Sequence, residues 1–251
     1  MADIIVIQSR PPGTPPDAVQ RACLSVEDWA RSSGFAYQRM GDEIFEMIPD
    51  WVLDVAGTRK QMAVDIGRLK WTQNLLDQNW PKVIWLDADA LIFNPGAMIV
   101  DVPDGFGFGR EHWVQPSEKG NAFKVYKNVH NAFMVFTDQG RWALDFYLEA
   151  ALRILKSAGP NTPPQLVGPK LLTALNNVVQ FPLIDSVGMA SPLVLADVAR
   201  GGGDAWDTLR QAHDNDIAGL NLCMSLVGTR VDGVNIDHTL LSVVAGKLLS
   251  K

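Results

Sequence analysis

Cysteine is scarce in this 251-residue chain: Cys23 and Cys223, near opposite ends, are all there is. Two distant thiols frame no disulfide scaffold and suit a reducing compartment. Long apolar runs are missing too, since none approaches the about 18 residues that a membrane-spanning helix needs. Excess positive charge is also lacking: 22 Lys and Arg stand against 28 Asp and Glu, a formal charge of −6. That argues against general nucleic-acid binding, which relies on basic side chains to neutralise phosphates. A phosphate-bearing ligand would have to be met by local means. Internal repeats and low-complexity tracts are absent. Met1, Ala2 and Asp3 carry no basic segment, and the apolar run Ile4, Ile5, Val6, Ile7 is too short for a signal peptide. A cytoplasmic location is expected.

What is present suits a sizeable core: 47% of residues are hydrophobic and 20% charged, as in one large or two intimately packed domains. Residues 3–8 read as a fully buried strand, broken by a loop holding Pro11, Pro12, Pro15 and Pro16. Val19, Cys23, Val26 and Ala30 recur at helical spacing over 17–33, and residues 35–40 alternate as a second strand. Strand, helix, strand is the order of a parallel α/β sheet. Met62, Ile66, Leu69 and Leu76 mark a long amphipathic helix over 58–79. On it, Asp65 and Arg68 lie side by side. Their spacing alone describes a surface ion pair, but the helix leads directly into the most unusual stretch of the chain.

That stretch is Val83, Ile84, Trp85 and Leu86, followed by Asp87, Ala88 and Asp89 and then by Ala90, Leu91, Ile92 and Phe93. Two carboxylates interrupt a buried segment, which is costly without a purpose. In an α/β sheet the carboxyl ends of strands border the ligand crevice. Residues two apart on an extended chain point the same way, and two close carboxylates repel unless a proton or a cation joins them. A hard divalent cation, Mn²⁺ or Mg²⁺, suits such a pair.

Farther on, residues 100–109 read as a glycine-spaced edge strand, and 110–121 as a polar loop carrying Trp113 that closes over the site as a lid. Residues 131–137 form a strand and 140–157 an amphipathic helix. Residues 159–164 resemble a linker, and Gly168 and Pro169 open a helix whose free N–H groups suit an anion. Residues 178–184 and 191–198 look extended, 204–212 helical up to His213, and 239–249 helical again.

With these pieces placed, the chain resembles the Asp-x-Asp glycosyltransferases of the GT-A fold, in particular the family of yeast-type α-1,6-mannosyltransferases and bacterial capsular-polysaccharide sugar transferases. Gln8 ends the first strand as in that family, and residues 23–29, from Cys23 to Trp29, are similar to its early helix. Ala63, Asp65 and Arg68 match its Ala-x-Asp-x-x-Arg helix, and Trp85, Leu86, Asp87 and Asp89 its Tyr-Leu-Asp-x-Asp strand. Asn131 and Met134 match its Asn-x-x-Met strand, and Gly168, Pro169 and Thr173 its Gly-Pro-x-x-x-Thr segment. The early helix match is loose, Trp80, Pro81 and Lys82 stand where the family has Gly-Gly, and the likeness fades after residue 173.

The resemblance implies a GT-A α/β fold: a Rossmann-like, mixed, mostly parallel sheet flanked by helices. Residues 1–251 would form a single domain, with a nucleotide-binding half at 1–95 and an acceptor-side half at 96–251. It implies metal-dependent transfer, with retention, of a hexosyl group from a nucleotide diphosphate sugar to a hydroxyl acceptor such as a glycan or lipid-linked glycan, as in polysaccharide biosynthesis. Asp87 and Asp89 would hold the metal, with His213, or its rival His238, completing the shell. Gln8 would lie near the base, Asp65 and Arg68 would flank the ribose or donor sugar, and Asn131 would complete the donor pocket. Glu111 is a candidate nucleophile, and the loop over 110–121 would close over the donor and shape the acceptor site, with Trp113 offering a flat face on which a sugar ring stacks. A non-catalytic sugar-nucleotide or glycan binder on the same scaffold, and a haloacid-dehalogenase-type phosphohydrolase, are the alternatives.

Overall fold

The computed structural model describes residues 2–57, 60–117, 122–158 and 163–250. β1 (Ile4–Ser9) runs parallel to β2 (Ala36–Met40) on one side and to β3 (Lys82–Leu86) on the other. α1 (Asp17–Ser32), α2 (Asp50–Ala56) and α3 (Lys60–Asp77) fill the connections. The strands are apolar on both faces because both are covered. Ile5, Ile7, Val83 and Trp85 join the core that holds Ile66 and Leu69 of α3, while Val6, Ile84 and Leu86 meet Val26 and Trp29 of α1. Each fully buried large side chain contributes about 1.5–3 kcal/mol.

After β3 the chain turns through the two acids into β4 (Ala90–Ile92), which leaves the main sheet. β5 (Phe106–Pro116) and β6 (Phe123–Thr137) form a long hairpin, and β6 docks antiparallel against β3. α4 (Arg141–Ser157) and α5 (Leu171–Val179) follow, and the short β7 (Leu183–Ile184) pairs parallel with β5. The order is β2-β1-β3-β6-β5-β7, with β6 running against the other five strands. This is a mixed, mostly parallel six-stranded sheet flanked by helices.

A second sheet, β4-β9-β8, pairs β4 with β9 (Gly219–Asn221), which runs parallel to β8 (Val187–Met189). Around it α6 (Pro192–Arg200), α7 (Asp204–Ala212) and α8 (His238–Leu249) bury Val194, Leu209, Leu241 and Val244. The hairpin of β10 (Arg230–Val231) and β11 (Val234–Asn235) precedes α8, whose first turn is capped by the Asp237 side chain accepting from Leu240 N at 2.7 Å.

Three local expectations are overturned. Residues 110–116 are strand, not loop, so the lid expected over 110–121 does not form from them; residues 118–121 lie outside the described set. The alternation is real but disguised, because one face of this strand is polar: Glu111, Trp113 and Gln115 line one side, while His112 and Val114 are buried. The segment 191–198 is helical, not extended, with Pro192 in its first turn and Gly201 ending it at φ 96°. The strand read over 100–109 starts only at Phe106, and it lies between β6 and β7 rather than at the sheet edge. Thr58 and the core of the linker at 159–164 fall outside the described residues.

Candidate active site

Asp87 and Asp89 stand where β3 ends, at a cleft of about 590 Å³ that Asp65, Arg68, Asn131 and Lys170 also line. The side holding Asp87 is a charged network. Asp87 Oδ1 accepts from Trp85 Nε1 at 2.7 Å and meets Arg68 Nη1 at 3.0 Å. Arg68 Nη1 donates to the Asn131 carbonyl at 2.9 Å, and Nη2 lies 3.3 Å from Asp65 Oδ1. Asn131 Nδ2 donates back to Asp65 Oδ1 at 2.8 Å, so three elements, α3, β3 and β6, are tied by one guanidinium. The Arg68 guanidinium also lies 4.8 Å from the centre of the Trp85 ring.

Asp65 and Arg68 are thus no surface pair: each is 6% exposed. α3 is enclosed around its middle, where a Cβ on Gly67 would come within 2.7 Å of Ile44 Cγ1. Burial raises the Asp65 carboxyl to about 6 in spite of Arg68, while Asp87 and Asp65 together outweigh desolvation and hold Arg68 protonated. Gly168 closes the network from above. A Cβ there would lie 3.0 Å from both Asn131 Nδ2 and Asp65 Oδ2, a physical reason for glycine before Pro169.

Asp89 is held by other means. Its Oδ1 accepts from Asn221 Nδ2 at 2.8 Å and its Oδ2 from Met224 N at 2.9 Å. These donors arrive because β9 pairs with β4, placing Asn221 opposite Ala90, and because Cys223 takes a left-handed turn at φ 52°. Cys223 N donates to Asn221 Oδ1 at 2.8 Å, which orients the amide toward Asp89. No cation pairs with Asp89 among the described residues. Burial first, and Asp87 second, raise it to about 6.

The donor set suits a hard divalent cation. Three carboxylates share the cleft with one buried guanidinium and the exposed Lys170, so negative charge is in excess, and carboxylate oxygens are the ligands that Mg²⁺ and Mn²⁺ take. Among the described residues no cluster of three His, Cys, Asp or Glu side chains converges.

The other expected residues are placed elsewhere. Gln8 is wholly buried: its Nε2 donates to the Asp87 carbonyl at 3.0 Å and its Oε1 accepts from Tyr37 Oη at 2.9 Å. With both ends of the amide engaged, it braces the acid turn instead of facing a base. His213 does not line the cleft. It packs against His112 with ring centres 4.6 Å apart, its Nδ1 2.8 Å from the Leu209 carbonyl, and burial lowers it. His112 and His130 are held down to about 4, chiefly by burial. His238 is exposed at the start of α8 and does not line the cleft either. Glu111 lies in a neighbouring groove, not among the side chains around Asp87 and Asp89. Asn221, the Met224 amide and Tyr147, whose hydroxyl donates to the Val167 carbonyl at 2.8 Å, were invisible in the sequence, since no local pattern announces a long-range polar contact.

No family model and no curated protein matches the chain. Solved structures do. The chain is similar to the crystal structure of a glycosyltransferase involved in the glycosylation of the major capsid of PBCV-1, at 9% identity over 96% of this chain and 98% of that one, with a TM-score of 0.50. The fold is that of the GT-A glycosyltransferases. Mouse xyloside xylosyltransferase 1, in its apo form, aligns at 11% identity over 88% of this chain and 97% of its own, with a TM-score of 0.45. At 9% identity the likeness to the first of these is one of fold, and activity has to be argued from the cleft.

Proposed function

We propose that the protein is a glycosyltransferase that moves a hexosyl group from a nucleotide diphosphate sugar to a hydroxyl acceptor, with a divalent metal at Asp87 and Asp89 and with retention. The observation that carries this reading is the pair of acids at the carboxyl end of β3, opening together on a cleft in which carboxylates outnumber cations. A divalent cation between the acids and an anionic diphosphate would offset that excess of negative charge. When bound, that cation supplies charge neutralisation to the diphosphate leaving group. Asp87 and Asp89 would hold such a cation through carboxylate oxygens, the ligands that Mg²⁺ and Mn²⁺ take.

The chain's own residues do the remainder. Arg68 bridges Asp87 and Asp65 and so orients both carboxylates toward the cleft before a ligand arrives. Asp65 and Asn131 present polar atoms to the donor sugar or ribose, and Lys170 offers a cation at the rim to the diphosphate. The test is thermal stability with UDP-, GDP- and CMP-sugars, with and without Mn²⁺. A matched donor raises the melting temperature only with metal, in proportion to ligand excess. A donor effect that is indifferent to Mn²⁺ and survives Asp89→Asn would remove the metal-site reading.

A further inference from the structure

A second groove, of about 660 Å³, adjoins the acid cleft; Lys170, Met189, Cys223 and Leu226 line both. Its floor is the β5–β6 hairpin. Register sets Glu111 opposite Asn128, Trp113 opposite Tyr126 and Gln115 opposite Lys124, and alternate residues on paired strands share a face. The opposite face turns inward, with His112 1% and Val114 0% exposed. A single row of side chains therefore faces the groove: a carboxyl with an amide, then two aromatic rings, then the Gln115 amide. Lys124 Nζ already sits 4.2 Å from the centre of the Tyr126 ring, which leaves Trp113 as the plane for a ligand.

We propose that this groove is a carbohydrate subsite for the acceptor, with Trp113 as the stacking platform and Glu111 as the carboxyl group that hydrogen-bonds sugar hydroxyls. The inference rests on the transfer reading for its acceptor role, because the groove opens where the donor cleft ends. The chemistry selects a sugar over other hydroxyl compounds. A pyranose has an apolar C–H face that fits an aromatic plane and a ring of hydroxyls that suits planar amide and carboxyl groups. An acyl chain in the same place would strip water from Glu111, Gln115, Asn128 and Asn177 and return no hydrogen bonds. Burial raises Glu111 to about 7, so near neutrality it serves hydroxyls as both donor and acceptor.

The experiment is saturation-transfer NMR with maltotriose, chitotriose, mannotriose and xylotriose, run beside Mn²⁺-dependent binding of the nucleotide sugars on the same samples. At least one trisaccharide should receive saturation through its ring protons in the wild-type protein. Trp113→Ala should weaken that binding about fivefold or more, with Trp113→Phe restoring most of it. Glu111→Gln should weaken it as well, through hydroxyl contacts rather than stacking. Should Trp113→Ala fail to fold, Trp113→Phe and Glu111→Gln decide. Donor binding with no trisaccharide contact, or contact indifferent to both Trp113 and Glu111, overturns the subsite alone. Trisaccharide contact at Trp113 with no nucleotide sugar bound overturns the transfer reading and with it the acceptor role.

Discussion

Asp87 and Asp89 are two residues apart and open on one cleft, yet the two walls that hold them are built of different materials. The wall behind Asp87 is ionic and comes from the middle of the chain, with Arg68 tying Asp65, Asp87 and Asn131 together. The wall behind Asp89 is neutral and comes from residues 221–224, through an amide side chain and a backbone N–H. The difference separates two tasks. Asp87 is paired with Arg68 in the folded protein, whereas Asp89 meets only neutral donors and the repulsion of Asp87, so in the proposed reading it is the group whose ionisation an added cation would favour.

The largest effect should follow from breaking the ionic wall. Arg68→Met removes the cation shared by the buried Asp65 and the half-buried Asp87, leaving each only a neutral hydrogen-bond donor, and should cost about 3–5 kcal/mol, read as a fall in the urea midpoint. A loss below about 1 kcal/mol would mean that the guanidinium is not what holds the wall together.

The neutral wall should fail in function first. Asp89→Asn keeps the shape and forces one amide N–H toward a former donor, so stability should change by about 1–2 kcal/mol. The Mn²⁺-dependent rise in melting temperature should vanish altogether, and persistence of that rise would return the metal to Asp87 alone.

Acidity sharpens the contrast further. Asp65 and Asp89 are raised from 3.8 to about 6, so between these values the folded state binds more protons than the unfolded one. Their contribution to stability therefore increases as pH falls from about 6 toward 4. His112 and His130, lowered from 6.5 to about 4, act in the opposite sense: what they contribute is complete above 6.5 and is lost as pH falls through that window. Stabilisation by Mn²⁺ should be full near pH 7.5 and fade below about 6 as Asp89 takes up a proton. Replacing His112 by Phe should flatten the acid side of the melting curve without touching the Mn²⁺ effect. A metal effect that persists at pH 5 would contradict the assignment of Asp89.

The smallest change is Asn221→Ala, which removes one donor from Asp89 and the acceptor for Cys223 N. We expect a loss of about 1 kcal/mol and a metal response that fades at a higher pH than in the wild type. An unshifted pH midpoint would show that the Asn221 amide does not stabilise the ionised form.

Local chemistry made much of this molecule legible in advance. The apolar run of residues 83–86 had to be a strand covered on both faces, and two acids placed at its end had to open on a crevice. The 3.6-residue period of α3 put Asp65 beside Arg68. Turn chemistry at residues 32–34 was enough to end α1. Tertiary structure decided what no period or spacing encodes. It buried the Asp65–Arg68 pair, because helices and loops enclose α3 on sides that its own pattern does not describe. It brought Asn221 and the Met224 amide to Asp89 through a strand pairing across more than half the chain. It spent the Gln8 amide on an internal brace and set His213 against His112, away from the acids. It also turned the polar residues 111–115 into one face of a hairpin, since alternation shows in a sequence only when the two faces differ in polarity, and a groove lined by a carboxyl, an indole and an amide hides that difference.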